Sequence, residues 1–318
     1  METVPCPISG SSYFTPWLQV PDRFDPSGKE QWSLLRSTAS GLIMLNPRPD
    51  STEIACHYPR GLYDPHRHQQ NSVTCRDKAY LAARALLLRY RAHLIQQGTS
   101  KPLRQIRLLE IGCSTGELLN YFHRHKGIPR QNLAGVESDA EAASHAQQDF
   151  SLTVSRSLPN AGGGQFDRIV LWHTLEHIHA IHETLDYAAK QLASDGVLII
   201  ALPNPESYDA KQYRENWIAW DAPRHLYHFV PKTLEKLLQQ HDLEVVRRQP
   251  YLPDSIYNTL HSEKLRCKIA GRGFHIPQLG VALLKGIAAA GIGALRPLKA
   301  SSLVYFVRKS HSQTNSKF

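Results

Sequence analysis

The stretch Leu108 to Gly116, LLEIGCSTG, constrains the fold more than any other part of the 318-residue chain. A short apolar run that contains Glu110 precedes a tight turn between Gly112 and Gly116, and the residues from Glu117 onward (ELLNYFHRH) have a helical pattern. Strand, glycine turn and helix together open a nucleotide-type α/β unit. The glycines let the backbone approach a ligand that a Cβ atom would exclude.

The turn departs from the dinucleotide fingerprint G-x-G-x-x-G. Position 114 is Ser, so the pattern reads E-x-G-x-x-x-G. An acid inside such a turn would repel a pyrophosphate, but it suits a ligand that carries an amine and a sulfonium. A second acid, Glu137, follows a second apolar run, Leu133 to Val136. A carboxylate at that place accepts hydrogen bonds from the two hydroxyls of a ribose.

The glycine turn and Glu137, taken together, resemble the class I S-adenosylmethionine-dependent methyltransferases. The resemblance implies S-adenosyl-L-methionine as the cofactor, with Glu110 facing its amino end through bridging groups and Ser138 flanking its adenine. The full set of implied cofactor contacts is Glu110, Gly112, Cys113, Ser114, Thr115, Gly116, Glu137, Ser138, Trp172 and His173. The family commonly has an acid after its third strand that binds the adenine amine. Arg156 or Ser157 stands there in this chain, so a backbone group is expected to serve instead.

Apolar runs alternate with helical patterns through the middle of the chain. The predicted strands are Leu108 to Ile111, Leu133 to Val136, Leu152 to Val154, Arg168 to Trp172, Gly196 to Ala201, Leu243 to Arg248 and Leu303 to Arg308. The predicted helices are 77–97, 117–124, 139–148, 181–192 and 232–241. This alternation favours a parallel sheet covered by helices on both faces. The resemblance implies a Rossmann-like α/β sheet of seven strands, the last of them antiparallel.

We predict three segments from this pattern. They are an N-terminal ribbon-like lobe over 1–75, a cofactor-binding methyltransferase core over 76–251, and a C-terminal part over 252–318 with a helical insert, the last strand and a basic tail. The insert, Val281 to Leu295, is apolar but contains Lys285 and is shorter than a bilayer span. We expect a buried or substrate-covering helix, and a helix lying on a membrane through 281–309 is the alternative.

The N-terminal lobe resembles a zinc ribbon that has lost its ligands. A subset of these methyltransferases opens with C-P-x-C-G and later C-x-x-C-G, where this chain reads CPISG and STASG. Cys6 remains, and serine stands at the other three ligand positions: Ser9, Ser37 and Ser40. A hydroxyl does not replace a thiolate on zinc, so we predict no metal and a lobe that keeps its shape by packing. Three histidines without ligand spacing are expected to be structural or exposed: His57, His66 and His68.

The fourth predicted strand ends in WHTLEHIH, a stretch that begins at Trp172. Its L-E-H tripeptide is a marker of the family. In the ubiquinone-type O-methyltransferases, which this stretch resembles, the residues matching Glu176 and His177 are associated with a divalent cation. Those enzymes carry a further acid where this chain has His173, so no cation is expected here. His173 is instead a candidate general base at the strand end. The structural alternative is that Glu176 and His177 cap the next helix and brace the sheet.

A second constellation, NWIAWDAPRHLYHF, resembles one branch of the family that reads W…D-x-P-R-H-L-Y-H-F. Loops at the strand ends build the site in such sheets. His225 is a candidate general base with Asp221 orienting it, Arg224 is a candidate for holding an anionic acceptor, and Tyr227 completes the catalytic set. The alternative is that Arg224 and Asp221 pair and pin the loop.

Charge is unevenly distributed along the chain. Residues from Lys264 to Phe318 carry ten Lys or Arg and no acid, so the rest of the chain sums to −1 within a net charge of +9. This indicates either a solvated surface or an anionic partner, such as a phosphorylated substrate or a membrane face. Nucleic acid is not expected, because the tail has few aromatic residues for stacking. Five scattered cysteines and no signal-peptide pattern favour the cytoplasm.

The expected function is S-adenosylmethionine-dependent methyl transfer to a small or lipid-linked acceptor, most simply at oxygen. Two alternatives stay open: a nicotinamide-dependent oxidoreductase, and a binding protein with a methyltransferase fold and no activity. A sugar C-methyltransferase is a rival within the class that we do not expect, because those enzymes resemble this chain at the N-terminus but carry a longer C-terminal domain than 318 residues allow. The sequence indicates neither the acceptor nor the oligomeric state.

Overall fold

Eleven strands and eight helices are present in a computed structural model, which describes residues 1–25, 29–59, 75–98, 101–159 and 165–310, with 75–81 described by their backbone alone. The strands are β1 Phe14–Pro21, β2 Gln31–Ser37, β3 Ile43–Leu45, β4 Leu108–Ile111, β5 Leu133–Val136, β6 Thr153–Ser155, β7 Phe166–Trp172, β8 Leu192–Pro203, β9 Tyr227–His228, β10 Leu243–Pro250 and β11 Ser302–Lys309. The helices are α1 Cys75–Ile95, α2 Glu117–Lys126, α3 Ala140–Phe150, α4 Ile181–Gln191, α5 Tyr208–Tyr213, α6 Pro231–Gln239, α7 Pro253–Ile269 and α8 Ile276–Leu295.

The larger sheet has seven strands in the order β10-β11-β8-β7-β4-β5-β6. β4 is parallel to β5 and to β7, and β5 is parallel to β6. β10 and β11 are antiparallel, with Leu243 opposite Lys309. Strands β4 and β7 are buried along their whole length, as expected for strands covered on both faces. The predicted α/β class, the seven strands and the antiparallel last strand are confirmed.

The smaller sheet has the order β1-β2-β3-β9 and is antiparallel throughout. Its last strand, β9, comes from the motif around Tyr227 and pairs with β3 through Met44. This sheet is absent from the sequence prediction, as are helices α5 and α7.

The chain divides into two compact units. We call Pro59–Trp172 with Asp186–Ile199 the glycine-loop unit, because it contains the turn after β4. We call Met1–Tyr58, His173–Leu185 and Ile200–Phe318 the ribbon-containing unit. The predicted division into 1–75, 76–251 and 252–318 stays a prediction, and His66 and His68 lie outside the described residues.

Two parts of the prediction for the C-terminal insert, its length and its burial, are wrong, and its substrate-covering role stays a prediction. The helix is α8, which has 20 residues and is long and apolar enough to cross a membrane. It is also not buried, because Leu284 is 71% and Leu295 is 85% exposed. The sequence prediction began the helix too late, since Pro277 and the glycines obscured its first turn.

Candidate functional site

The turn after β4 has the backbone geometry that its glycines predict. Gly112 and Gly116 have φ values of 78° and 76°, and Ser114 has a φ of 47°. The amides of Gly112 and Cys113 both donate to the carbonyl of Val136, at 2.7 and 3.1 Å. The turn is therefore held against the end of β5, and it bends in a left-handed conformation that glycine adopts without steric cost.

Glu137 lies beside this turn and holds it in place. Its Oε2 accepts from the amide of Ser114 at 2.8 Å, and its Oε1 accepts from the amide of Asp139 at 2.8 Å. The side chain is half-buried, and each carboxylate oxygen keeps a second lone pair. The carboxylate is thus positioned next to the glycine turn with capacity to accept hydrogen bonds from a ligand's hydroxyls.

Glu110 is the buried acid of the glycine-loop unit. It is 6% exposed, and within the described residues its Oε2 has no hydrogen-bond partner. Burial raises the pKa of Glu110 to about 8, although the nearby Arg91 lowers it. An ionised carboxylate buried without a partner is costly. A ligand ammonium group, direct or through a bridging group, would supply the missing partner, so this residue fits the predicted cofactor.

The remaining predicted cofactor residues fall into two groups. Cys113, Thr115 and Trp172 are buried, and the Cys113 sulfur packs where a Cβ on Gly135 would come within 2.5 Å of it. Ser138 is exposed, and Arg156 donates to its carbonyl from Nε and Nη2 at 3.0 and 2.6 Å. A guanidinium has no acceptor, so the Arg156 side chain cannot accept from an adenine amine.

His173 is a candidate site residue in the ribbon-containing unit. Its Nε2 lies 2.9 Å from Asp254 Oδ2, and its Nδ1 lies 3.4 Å from Glu176 Oε1. Burial lowers the pKa of His173, but these carboxylates outweigh burial and raise it to about 9. The imidazole is therefore protonated at neutral pH, which opposes the predicted role of His173 as a general base.

His225 has the opposite protonation state. Its Nδ1 lies 2.8 Å from the carbonyl of Ala219, which can only accept, so Nδ1 carries the proton and Nε2 the lone pair. Burial and the neighbouring His177 lower the pKa of His225 to about 4. The prediction that Asp221 orients this ring is wrong, because Asp221 Oδ2 is 3.9 Å from Nε2. The backbone at Ala219 orients it instead.

Arg224 is fully buried, and its guanidinium is paired with carboxylates of the protein rather than available to a methyl acceptor. Its Nε donates to Asp221 Oδ1 at 2.9 Å, and its Nη2 donates to Asp22 Oδ1 at 2.7 Å. Arg23 also pairs with Asp221 at 2.8 Å. The predicted role of Arg224 in holding an anionic acceptor is therefore wrong, and the structure gives it the alternative role of pinning the loop.

Tyr227 is likewise part of the framework. It is 3% exposed, lies in β9, and accepts a hydrogen bond from Arg48 Nη1 at 2.7 Å. Its hydroxyl thus connects β9 to the segment that follows β3, and its predicted catalytic role does not fit this position.

Glu176, His177 and His225 form a cluster that the sequence did not predict as a unit. One ligand atom from each lies within 4.8 Å of the others. His177 Nδ1 is 3.0 Å from the carbonyl of Arg224, to which it donates, and 3.1 Å from the hydroxyl of Tyr58, so its Nε2 keeps the lone pair. Burial raises the pKa of Glu176, but His173, His225 and His177 outweigh it and lower the pKa to about 2. An ionised carboxylate therefore lies close to the imidazoles of His177 and His225.

The same three groups have the chemistry and spacing of a divalent-cation site, with the third ligand from His225 rather than His173. A second such group in the ribbon-containing unit is Asp22, Glu30 and His57. The expectation of no metal stays a prediction. The protonated His173 beside Glu176 opposes cation binding at the first group, because it already neutralises the carboxylate.

The four ribbon positions lie together in two pairs. Cys6 Sγ is 3.1 Å from Ser40 Oγ, and Ser9 Oγ is 3.5 Å from Ser37 Oγ. Each turn closes by a backbone hydrogen bond, from Gly10 to Cys6 at 2.8 Å and from Gly41 to Ser37 at 2.9 Å. These two close pairs agree with the predicted ribbon-like arrangement, and the ribbon-like lobe stays a prediction.

Comparison with known families shows to which family the chain belongs. Residues 75–248 match the sequence model of the family described as "Methyltransferase domain". This match covers more than half of the chain, so the protein belongs to the methyltransferase-domain family. Membership supports the predicted enzyme class over the oxidoreductase alternative.

Curated relatives agree with this assignment over part of their length. The chain is 27% identical over 162 residues to the ubiquinone biosynthesis O-methyltransferase of Rhizobium rhizogenes, covering 47% of this chain and 64% of that enzyme. It is 24% identical over 157 residues to the enzyme of the same name from Bartonella quintana, covering 46% and 63%. The chain thus spans less than two thirds of these relatives.

Solved structures support the fold. A mycolic acid cyclopropane synthase complexed with SAH and CTAB is similar with a TM-score of 0.52 and 15% identity, covering 82% of this chain and 99% of that one. The magnesium protoporphyrin IX methyltransferase from Synechocystis PCC 6803 has a TM-score of 0.49 and 13% identity, covering 82% and 100%. At such identities the first likeness shows the fold alone.

Proposed function

We propose that this chain is an S-adenosylmethionine-dependent O-methyltransferase of the cytoplasm that acts on a hydroxyl of a small or lipid-linked acceptor. The buried Glu110 oxygen without a partner and the Glu137 carboxylate beside the glycine turn support the cofactor. When bound, the cofactor would supply an electrophilic methyl group on its sulfonium. The relatives named O-methyltransferase support oxygen as the acceptor atom.

The observation that carries the acceptor assignment is the protonation state of the Glu176–His177–His225 cluster. A hydroxyl must lose its proton when its oxygen takes a methyl group. His225 Nε2 carries a lone pair at neutral pH, so it can take that proton. The ionised Glu176 then stabilises the imidazolium that forms. A positioned base of this kind contributes about 10²–10⁴-fold in rate.

Incubation of the protein with isotope-labelled methyl donor and cell extract, followed by mass spectrometry, tests this assignment. We expect a labelled methyl ether on a compound that carried a hydroxyl. His225→Gln is expected to retain cofactor affinity and lose about 100-fold or more in turnover. His241→Gln is the matched control, because His241 is a buried histidine of the same unit that pairs with His182. Label on nitrogen or carbon alone, or wild-type turnover in His225→Gln, would contradict the proposal.

A further inference from the structure

Helix α8 buries its small residues and exposes its large apolar residues, which is the reverse of a usual surface helix. Its buried positions are all small residues, namely Ala282, Gly286, Ala289 and Gly293. Its large apolar residues are exposed, with Ile276 at 84%, Leu284 at 71%, Ile287 at 62% and Leu295 at 85%. A surface helix of a soluble domain normally turns its large apolar residues toward the core. The outward face of α8, defined by these four residues, is therefore an apolar surface.

Close packing fixes this orientation. A Cβ on Gly286 would lie 2.6 Å from Thr259 Oγ1 and 3.0 Å from the Cα of Ile256, both in α7. A Cβ on Gly293 would lie 3.0 Å from the Cα of Ala300. The helix cannot rotate to bury its leucines and isoleucines, because only small side chains fit against α7. The exposure of the apolar face is consequently a result of how α8 packs in the fold.

Lys285 ties the inner side of α8 to the rest of its unit. Its Nζ is 3.7 Å from Glu263 Oε2 and 5.0 Å from the ring centre of Tyr213. Glu263 is 1% exposed. Carrying this ion pair into the middle of a bilayer would be costly. The helix has the length of a membrane span, but this anchor favours a position along a membrane surface.

The positive charge on both sides of α8 indicates which kind of surface it binds. Arg272 precedes the helix and Arg296 follows it, and both are exposed. No acidic residue occurs after Glu263, while ten Lys or Arg do. An apolar face flanked by cations binds the headgroup region of an anionic bilayer, through burial of the apolar side chains and attraction of the basic residues to the anionic lipid. We propose that the outward face of α8 docks on membranes that contain anionic lipid. This inference does not depend on the proposed methyl acceptor.

Vesicle co-sedimentation with the full chain tests the proposal. We expect binding to phosphatidylcholine vesicles that contain phosphatidylglycerol, weaker binding to phosphatidylcholine alone, and release by high salt. The double variant Leu284→Glu with Ile287→Glu is expected to lose about tenfold or more in partitioning. Leu86→Glu is the matched control, since Leu86 is 67% exposed on α1. Arg272→Glu with Arg296→Glu should lose the preference for the anionic lipid.

Several outcomes would overturn the proposal. They are absence of binding to either vesicle, equal binding by the Leu284→Glu/Ile287→Glu variant, and resistance of the bound chain to high salt and alkaline carbonate, as for a spanning helix. A dimer in light scattering that the same variant dissociates, without vesicle binding by the wild type, would assign the face to a second copy of this chain. Circular dichroism of each variant establishes that it is folded.

Discussion

Two histidines of the ribbon-containing unit differ in protonation, and this difference underlies the proposal that His225, rather than His173, is the base. His225 has a pKa lowered to about 4, and His173 has a pKa raised to about 9. With an acceptor that does not titrate in the range, we expect kcat/KM to be flat from about pH 6 to 8. A rise of about tenfold per pH unit toward pH 9 would instead identify His173 as the base.

If Glu110 faces the cofactor as proposed, cofactor affinity should depend on pH. Burial raises its pKa to about 8, so the free protein holds a proton that a bound ammonium group would displace. We expect calorimetry in buffers of different ionisation enthalpy to show proton release on cofactor binding near pH 7. Glu110→Gln should abolish that release. Buffer-independent heats in the wild type would contradict this assignment of Glu110.

The residues proposed to bind the cofactor could be grouped from the sequence because they follow one another along the chain. Glu110, the glycine turn and Glu137 form a local pattern that resembles a known family. The cluster of Glu176, His177 and His225 was not predictable, because Glu176 and His225 belong to different motifs. They meet through a backbone hydrogen bond of 2.8 Å from Leu226 to the carbonyl of Glu176. Arg224 was misassigned because its sequence position does not reveal that Asp22 covers it.

At the level of elements, the loop before β9 depends on one buried guanidinium. Replacing one partner of a buried ion pair leaves the others uncompensated and costs about 3–5 kcal/mol. We expect Arg224→Met to lower the free energy of unfolding by that amount in denaturant titrations. Arg308→Met, an exposed arginine of β11, should cost under about 0.5 kcal/mol. Equal effects of the two substitutions would show that the Asp22–Arg224–Asp221 network does not hold the loop.

The ribbon lobe should regain zinc when its thiolates are restored. The paired side chains are already 3.1 and 3.5 Å apart, near the separation of two sulfurs bound about 2.3 Å from one zinc ion. We expect the triple variant Ser9→Cys, Ser37→Cys, Ser40→Cys to bind one zinc per chain by elemental analysis. The wild-type lobe should bind none. Failure of the folded triple variant to bind zinc would show that the ribbon's arrangement is lost.

Sequence patterns located the elements that have a regular apolar period. The seven strands of the large sheet are such runs, and all were found with small errors at their ends. Helix α7 was missed because its buried side includes Ser255, Asn258 and Ser262, which give no apolar period. The small sheet was missed because β1 and β2, of eight and seven residues, are mostly not buried and have no regular apolar alternation, and because β3 and β9 have only three and two residues. Strands that short are defined by their partners rather than by their own composition.

At the scale of the whole molecule, buried neutral histidines predict instability in acid. Burial lowers the pKa of His228 to about 3, against about 6.5 in the unfolded chain. Between these values the unfolded state binds a proton that the folded state does not. The free energy of unfolding therefore decreases by about 1.4 kcal/mol for each such group when the pH is lowered by one unit. We expect His228→Gln to flatten the loss of unfolding free energy between pH 6.5 and 4.5 by about that slope. An unchanged slope would contradict burial of a neutral His228.

We propose that the glycine turn with Glu110 and Glu137 binds S-adenosylmethionine. Titration calorimetry with S-adenosylhomocysteine measures this binding, using the wild type, Glu137→Ala and the matched control Glu141→Ala, an exposed acid of α3. We expect one ligand per chain, a loss of about tenfold or more in affinity in Glu137→Ala, equivalent to about 1.4 kcal/mol, and no change in the control. No binding at about 1 mM ligand, or equal affinity of all three proteins, would contradict the proposed cofactor site.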